Sequence, residues 1–447
     1  MQSIKSKATR QPARRYRPLI ASSLAAFLSA GIANAACTST GTDPFICYGE
    51  SEATATAATL NTLTWDSTSG VFTPKSNSET INDLRFSFNQ AGNNQPSGSF
   101  DSATKIYTIT SGDAATKSQF FSLNAQGESI QIGDGTTTGK LSIDFGTGDN
   151  ERIFALNLGS KTGNGSNTNG FSFKGDIEVL AQNGSAITQK KSTLQATFEE
   201  SMEGNITIGA NGLESSAFTF EGGAKLIGDI TSNGGVNKFI FLDGTGREIS
   251  SITGNITAIG GHNAIEFKNS RGNAITGDIS TALGSTTIRA AGELDFHGDI
   301  TTRNGNVIID ADDINIVKKA TPQPQGINIL TENGSTRINA AAIDANIISL
   351  ITKVGAGTDK LNGNDIEAQA PKSIVSVSKE VTATGGSNTI TLLGAKSDIL
   401  VNGPITAIGA GAKSGRNALS AEEGTITIKN LKNDATPHHH QRAQWHQ

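Results

Sequence analysis

The sequence predicts an all-β fold, a right-handed parallel β-helix or solenoid with an irregular N-terminal β cap, on three observations. Glycine accounts for 51 of 447 residues, whereas aromatics make up 5% and charged residues 17%; this is poor in the aromatics of ordinary globular domains and in the charge of disordered chains. A short phrase, G-[DN]-I-[ST], recurs at variable spacing, as expected of a solenoid whose loops absorb insertions. Short apolar runs alternate with polar residues in period 2, so each reads as a strand with one buried face.

Residues 1–35 read as a secretory signal peptide. Lys5, Lys7, Arg10, Arg14, Arg15 and Arg17 precede an apolar stretch from Leu19 to Ile32 and the small-residue site Ala33-Asn34-Ala35. That stretch is shorter than the ~17 to 25 residues of a membrane-spanning helix, so cleavage between Ala35 and Ala36 is expected, leaving no integral membrane span in the mature chain. Export leads through the periplasm to the cell surface or the extracellular medium. Cleavage removes those six positive charges and no acid from a chain of net charge −5. The acidic product is a poor electrostatic match for nucleic acid or anionic membrane.

Cys37 and Cys47 follow the cleavage site in a chain bound for an oxidising compartment. A disulfide between them is expected, contributing roughly 2–3 kcal/mol by chain entropy. Lipid attachment at Cys37 is disfavoured, because Asn34 stands where a lipobox wants Leu. Neither cysteine has a histidine at metal-ligand spacing, which argues against a catalytic thiol or zinc.

Residues 36–170 read as an N-terminal cap with degenerate rungs, containing strands such as Arg85-Phe86-Ser87-Phe88, Ile130-Gln131-Ile132 and Leu141 to Phe145. Residues 171–431 carry the repeat. Its openers are Gly175, Gly204, Gly228, Gly254, Gly277, Gly298 and Gly403, and the segments 228–241 and 254–267 align without a gap as G-[DN]-I-T-x-x-G-G-x-N-x-[FI]-x-F. The phrase reads as a strand, a Gly-Gly-x-Asn corner and a second strand. Glycine supplies the backbone freedom of tight corners, and asparagine can stack into amide ladders. Pro404 removes a ladder donor and is expected at a bend, an edge or a terminus of the stack. A weak helical pattern covers Ser192 to Glu203. At about 24 residues per rung and ~4.8 Å per rung, the mature chain divides into roughly 15–17 rungs. Residues 432–447, with Pro437, His438, His439, His440 and Trp445, change composition abruptly and read as a disordered tail.

Candidate chemistry is sparse. Asp310, Asp312 and Asp313 form the one acidic cluster that suits a β-helix carbohydrate-active enzyme, in which carboxylates converge on one face. The Asn-x-Asp before and Gly-His-Gly after that a polygalacturonase also needs are absent, so a solvated rung face is the favoured reading, ahead of weak Ca²⁺ binding. His262 occupies a variable corner position and His297 a strand end, and no nucleophilic triad assembles around either. The segment 409–414, GAGAKS, lacks the Gly before Lys of a phosphate loop. No enzymatic activity, cofactor or physiological metal is expected.

The extended basic signal peptide, the Gly/Asn/Thr-rich stack and the G-[DN]-I-T-x-x-G-G-x-N repeat together resemble the passenger domains of Gram-negative autotransporters, above all the vacuolating-cytotoxin-like group. The resemblance covers residues 175–431 by motif and the signal peptide by layout. It implies a virulence-associated adhesin or toxin-like module whose partners are a host-cell surface protein or glycan, or other passenger copies. Two features depart from the family. The residues after Thr406 are too few for a translocator barrel of ~9 to 11 residues per strand, so the expectation is either a fragment of a longer reading frame or a passenger without its own translocator. The Ala/Thr-rich segment from Thr54 to Thr64 lacks the apolar small-xxx-small pattern of the pore-forming members. A surface interaction module is therefore the leading reading, with a carbohydrate-active enzyme and a vacuolating toxin subunit as alternatives.

Overall fold

The computed structural model describes residues 46–49, 56–58, 63–66, 71–74, 79–88, 97–110, 118–124, 129–133, 139–146, 152–159, 171–180, 192–209, 213–221, 223–243, 249–316, 326–353, 363–408, 416–422 and 424–430. The signal peptide, its cleavage site, Cys37 and the tail lie outside them. Cys47 falls in the strand Ile46–Gly49.

The repeat folds as a parallel β-helix with three faces. One coil consists of strands Ile230–Ser232, Val236–Phe241 and Ser250–Thr253, and the next repeats them as Ile256–Ala258, His262–Phe267 and Asn273–Thr276. Each pairs in parallel with its counterpart, Ile230 opposite Ile256, Val236 opposite His262 and Ser250 opposite Asn273. Lone coils have too little apolar surface to fold; stacking in register builds a continuous core.

The isoleucine of the repeat phrase is the inward residue of the first face. In-register pairing carries this position through Ile177, Ile206, Ile230, Ile256, Ile279, Ile300, Ile329, Leu350, Val381 and Ile405, all of them buried. On the second face the row Phe218, Phe239, Ile265, Ile288, Ile309, Ile338, Ile366 and Ile390 is equally continuous. Beside it, Phe198, Phe220, Phe241 and Phe267 stack ring on ring with centroids 4.7, 4.7 and 4.8 Å apart. The spacing is that of the strands themselves, and each pair adds roughly 0.5–1.5 kcal/mol beyond its buried area. The third face contributes Met202, Leu226, Ile252, Ile275 and Phe296.

From Ser285 to Lys353 the corner between second and third faces becomes shallow enough for a strand to run through it, whereas Gly363–Ala368 and Ser387–Leu392 again stop at that corner. Ser285–His297 and Asn306–Ile316 each cover two faces, and Ser335–Lys353, 19 residues long, goes on to the next first face. These bent strands join the three ladders into one continuous 36-stranded sheet.

The helical expectation for Ser192 to Glu203 is wrong. The segment forms strands Ser192–Phe198 and Ser201–Glu203. Leu194, Ala196 and Phe198 point inward while the residues between them stay partly exposed, a period of 2 that only a strand satisfies. Pro404 sits within Asp398–Ile408, opposite Asn430 of the last described strand and next to a register shift, which places it near the end of the stack.

At the N-terminal end the parallel stack gives way to antiparallel pairing. Leu84 and Leu141 continue the first-face row beyond Ile177, and Tyr107 lies outermost. Ser97–Asp101 pairs antiparallel with Ile106–Thr110, and Ile46–Gly49 pairs antiparallel with both Ser118–Asn124 and Thr56–Ala58. Among the described residues the parallel stack is accordingly shorter than an even division of the chain into rungs predicts, because these segments form antiparallel strands. Beneath them Phe86, Phe121 and Phe154 cluster at centroid distances of 4.7 to 5.6 Å. Arg152 lies over the Phe88 ring and donates to the Phe145 carbonyl; burial lowers its pKa, an effect that Asp144 opposes.

Candidate interaction surface

The opener corner explains the first two letters of the repeat. Gly204 and Gly228 have φ of +141° and +151°, and a Cβ at either would fall 2.0–2.1 Å from the carbonyl oxygen of the opener one coil below. No side chain fits there. The Asp or Asn that follows uses its Oδ1 to accept the backbone N–H of its counterpart on the next coil. Asn205 donates to Asp176 at 2.7 Å, Asp229 to Asn205 at 2.8 Å, Asn255 to Asp229 at 2.6 Å and Asp278 to Asn255 at 2.9 Å. The series runs on through Asp299 to Asn328, both bonds being 2.8 Å. Asp and Asn place an acceptor at that distance, and their alternation from Asp176 to Asp278 separates like charges along the exposed row, with Asp278 and Asp299 the one adjacent acidic pair. The row ends where Ser349 and Glu380 take the Asx position, so Pro404, which has no N–H, stands where no ladder bond is required.

The second corner, between first and second faces, carries the Gly-Gly-x-Asn element. Inside it, Asn237 Nδ2 donates to the Gly234 carbonyl at 3.0 Å, a bond that its counterpart Asn263 does not make. Outside it, three large apolar side chains on successive coils face solvent. Val236 is 45% exposed, Ile259 44% and Leu283 71%. Val236 lies in register with His262, and Leu283 donates its N–H to the Ile259 carbonyl at 2.8 Å. His262 Nδ1 lies 2.5 Å from Ser285 Oγ. The fold needs none of these apolar groups, since the equivalent positions on neighbouring coils are His262 for Val236, Asn233 for Ile259 and Asn304 for Leu283.

The acidic cluster is divided between two places. Asp310 lies on the outer side of the second face, where Asn339 donates to it at 2.6 Å and Arg289 approaches to 4.0 Å. Asp312 and Asp313 are exposed at the corner beyond, Asp313 in register with Glu293. Asp310 thus belongs to an outward polar row, Glu266, Arg289, Asp310, Asn339 and Glu367. His297 ends its strand, its carbonyl accepting the N–H of Gly277 at 3.1 Å. Among the described residues, no three His, Cys, Asp or Glu side chains are grouped to hold a metal ion, and no helix is long and apolar enough to cross a membrane.

On the same face Asp365 lies 3.9 Å from Arg337. Burial raises its carboxyl pKa above 3.8, and Arg337 pulls the other way. A shallow notch of 280 Å³ opens at the corner where Phe267 gives way to Ala290, rimmed by Glu266, Lys268 and Arg289.

The openers were legible from sequence, whereas the apolar corner was not. Its residues occupy three different variable positions, Ile259 two and Leu283 three residues after the [ST] of the phrase and Val236 between Gly-Gly and Asn, where single units show no pattern. No family model, curated protein or solved structure matches the chain.

Proposed function

We propose that this chain is an exported, non-enzymatic β-helix passenger that acts as a surface interaction module of the adhesin or toxin-like kind. The observation that carries this reading is the corner formed by Val236, Ile259 and Leu283, an apolar strip exposed on consecutive coils within otherwise polar rows. Apolar groups grouped at the surface and unnecessary to the fold suit a protein partner, here one on a host-cell surface. The signal-peptide layout and the repeat chemistry support export and display. The long lateral faces offer extended contact rather than a deep pocket, as solenoids commonly do.

The test is binding of the purified mature chain to cultured epithelial cells and to immobilised glycans, alongside turnover assays on acidic and neutral glycans. Saturable cell binding that Leu283→Asp weakens at least tenfold is expected. Glycan turnover abolished by Asp312→Ala would replace this reading with an enzymatic one, and binding indifferent to Leu283→Asp would remove the corner from it.

A further inference from the structure

We propose that the inner side of the Gly-Gly corner is a binding site for ordered water, centred on Asn263. Along the C-terminal coils this corner is lined by a direct ladder. The hydroxyl that ends the first face on one coil bonds the polar residue that begins the second face on the next: Thr302 with Thr336 at 3.0 Å, Thr331 with Asn364 at 2.8 Å and Thr352 with Asn388 at 2.7 Å. The register assigns the equivalent pairs on the preceding coils as Ser232 with Asn263, Ala258 with Thr286 and Thr281 with Val307. Two of these have lost a polar member, to Ala258 and to Val307.

The consequence is a concentration of unpaired polar atoms. Ser232 Oγ, Asn263 Nδ2 and Oδ1, Thr281 Oγ1 and Thr286 Oγ1 are all buried with no partner among the described residues. Asn263 is only 1% exposed. Each such atom left unbonded costs about 1–3 kcal/mol, and neighbouring coils show that the same corner can be fully satisfied. Alanine in place of threonine at position 258 removes two heavy atoms, on the order of the ~30 Å³ that a water molecule occupies in the liquid. The ligand must accept from Asn263 Nδ2 and donate to Asn263 Oδ1. A cation cannot do the first, whereas water does both and makes ~3 bonds in such sites. The corner glycines hold the walls close, since a Cβ on Gly261 would stand 3.0 Å from Ser232 Oγ and one on Gly305 3.1 Å from Thr281 Oγ1.

This site is independent of what the outer surface binds. A high-resolution crystal structure of the chain tests it. Water within hydrogen-bond distance of the Asn263 carboxamide and the Thr286 hydroxyl is expected. A dry corner in which Asn263 turns onto Ser232 and Thr281 bonds Thr286 directly would overturn it. In Ala258→Thr the new hydroxyl should displace the water beside Thr286 and bond that residue directly; water persisting there unchanged would contradict the assigned site.

Discussion

The coils from Phe198 to Phe267 and those from Ala290 to Ala368 enclose the same three faces with different fillings. In the first group a stacked phenylalanine occupies the second-face position next to the third-face corner, and in the second group the in-register residues are Ala290, Ala311, Ala340 and Ala368. The corner changes with the filling. After Phe267 the chain takes a turn in which Asn269 is buried, accepts from the Arg271 N–H at 3.0 Å and is held by Asn273 Nδ2 at 2.9 Å before the strand resumes. After Ala290 the strand passes straight through the bend to His297. At this step a ring gives way to a methyl group and a turn to a continuous strand, but the two do not always go together: a turn again follows Ala368 before Ile374–Thr384, and only two residues separate Phe198 from Ser201–Glu203. The side chain at this position is therefore one contributor to the perimeter of the coil, beside the residues of the corner itself.

That comparison can be broken most forcefully at Phe241, whose ring lies between Phe220 and Phe267. Phe241→Ala should destabilise the stack by about 3–5 kcal/mol, read from chemical denaturation; a loss below ~1 kcal/mol would mean that the coil collapses onto the cavity and that the ring stack contributes little. Gly228→Ala tests the backbone contact common to both groups of coils. Its Cβ would stand 2.1 Å from the Gly204 carbonyl oxygen at φ +151°, and a cost on the order of 1–3 kcal/mol is expected from backbone strain, whereas an unchanged midpoint would refute the close approach. The converse substitution, Ala340→Phe, should overpack the narrow coils by roughly 1–3 kcal/mol; a more stable variant would show that those coils have room to spare.

Smaller effects sharpen the account. Asn255→Ala removes the acceptor for the Asp278 N–H and should cost about 0.5–1.5 kcal/mol, measurable as faster amide exchange at Asp278. Asp365 gives a pH dependence. Its folded pKa is raised by burial, net of Arg337, so its contribution to stability is fully present below the unfolded value of 3.8 and is lost as pH rises through the folded value. Asp365→Asn should show no such loss, so the difference between wild type and variant should change across that window and level off above it. A difference independent of pH would contradict the assignment.

Much of the first two faces was legible in the sequence, because their phrase, opener, isoleucine, corner glycines and asparagine, recurs at fixed offsets imposed by fixed contacts. The third face was not recognised, because turns of variable length precede Met202, Leu226, Ile252 and Ile275, although each stands two residues before an opener glycine. At Leu194, Phe198 and Met202 the spacing of 4 imitates a helical stripe, although the first two lie on one strand and the third begins the next face. Interchange of Asp and Asn after the opener looks like neutral variation until the coils are stacked and each side chain meets the next N–H. The apolar corner was invisible for a related reason. Ile259 and Leu283 occupy different offsets from their openers and become neighbours only through register.

The central claim, that the displayed coils work by contact and not by catalysis, is tested most directly by measuring saturable binding of the mature chain and its Leu283→Asp variant to epithelial cells, with circular dichroism confirming an unchanged fold. Binding by the wild type that falls at least tenfold in the variant, without glycan turnover by either, is the predicted result. Equal binding by both, or turnover that depends on Asp312, would contradict it.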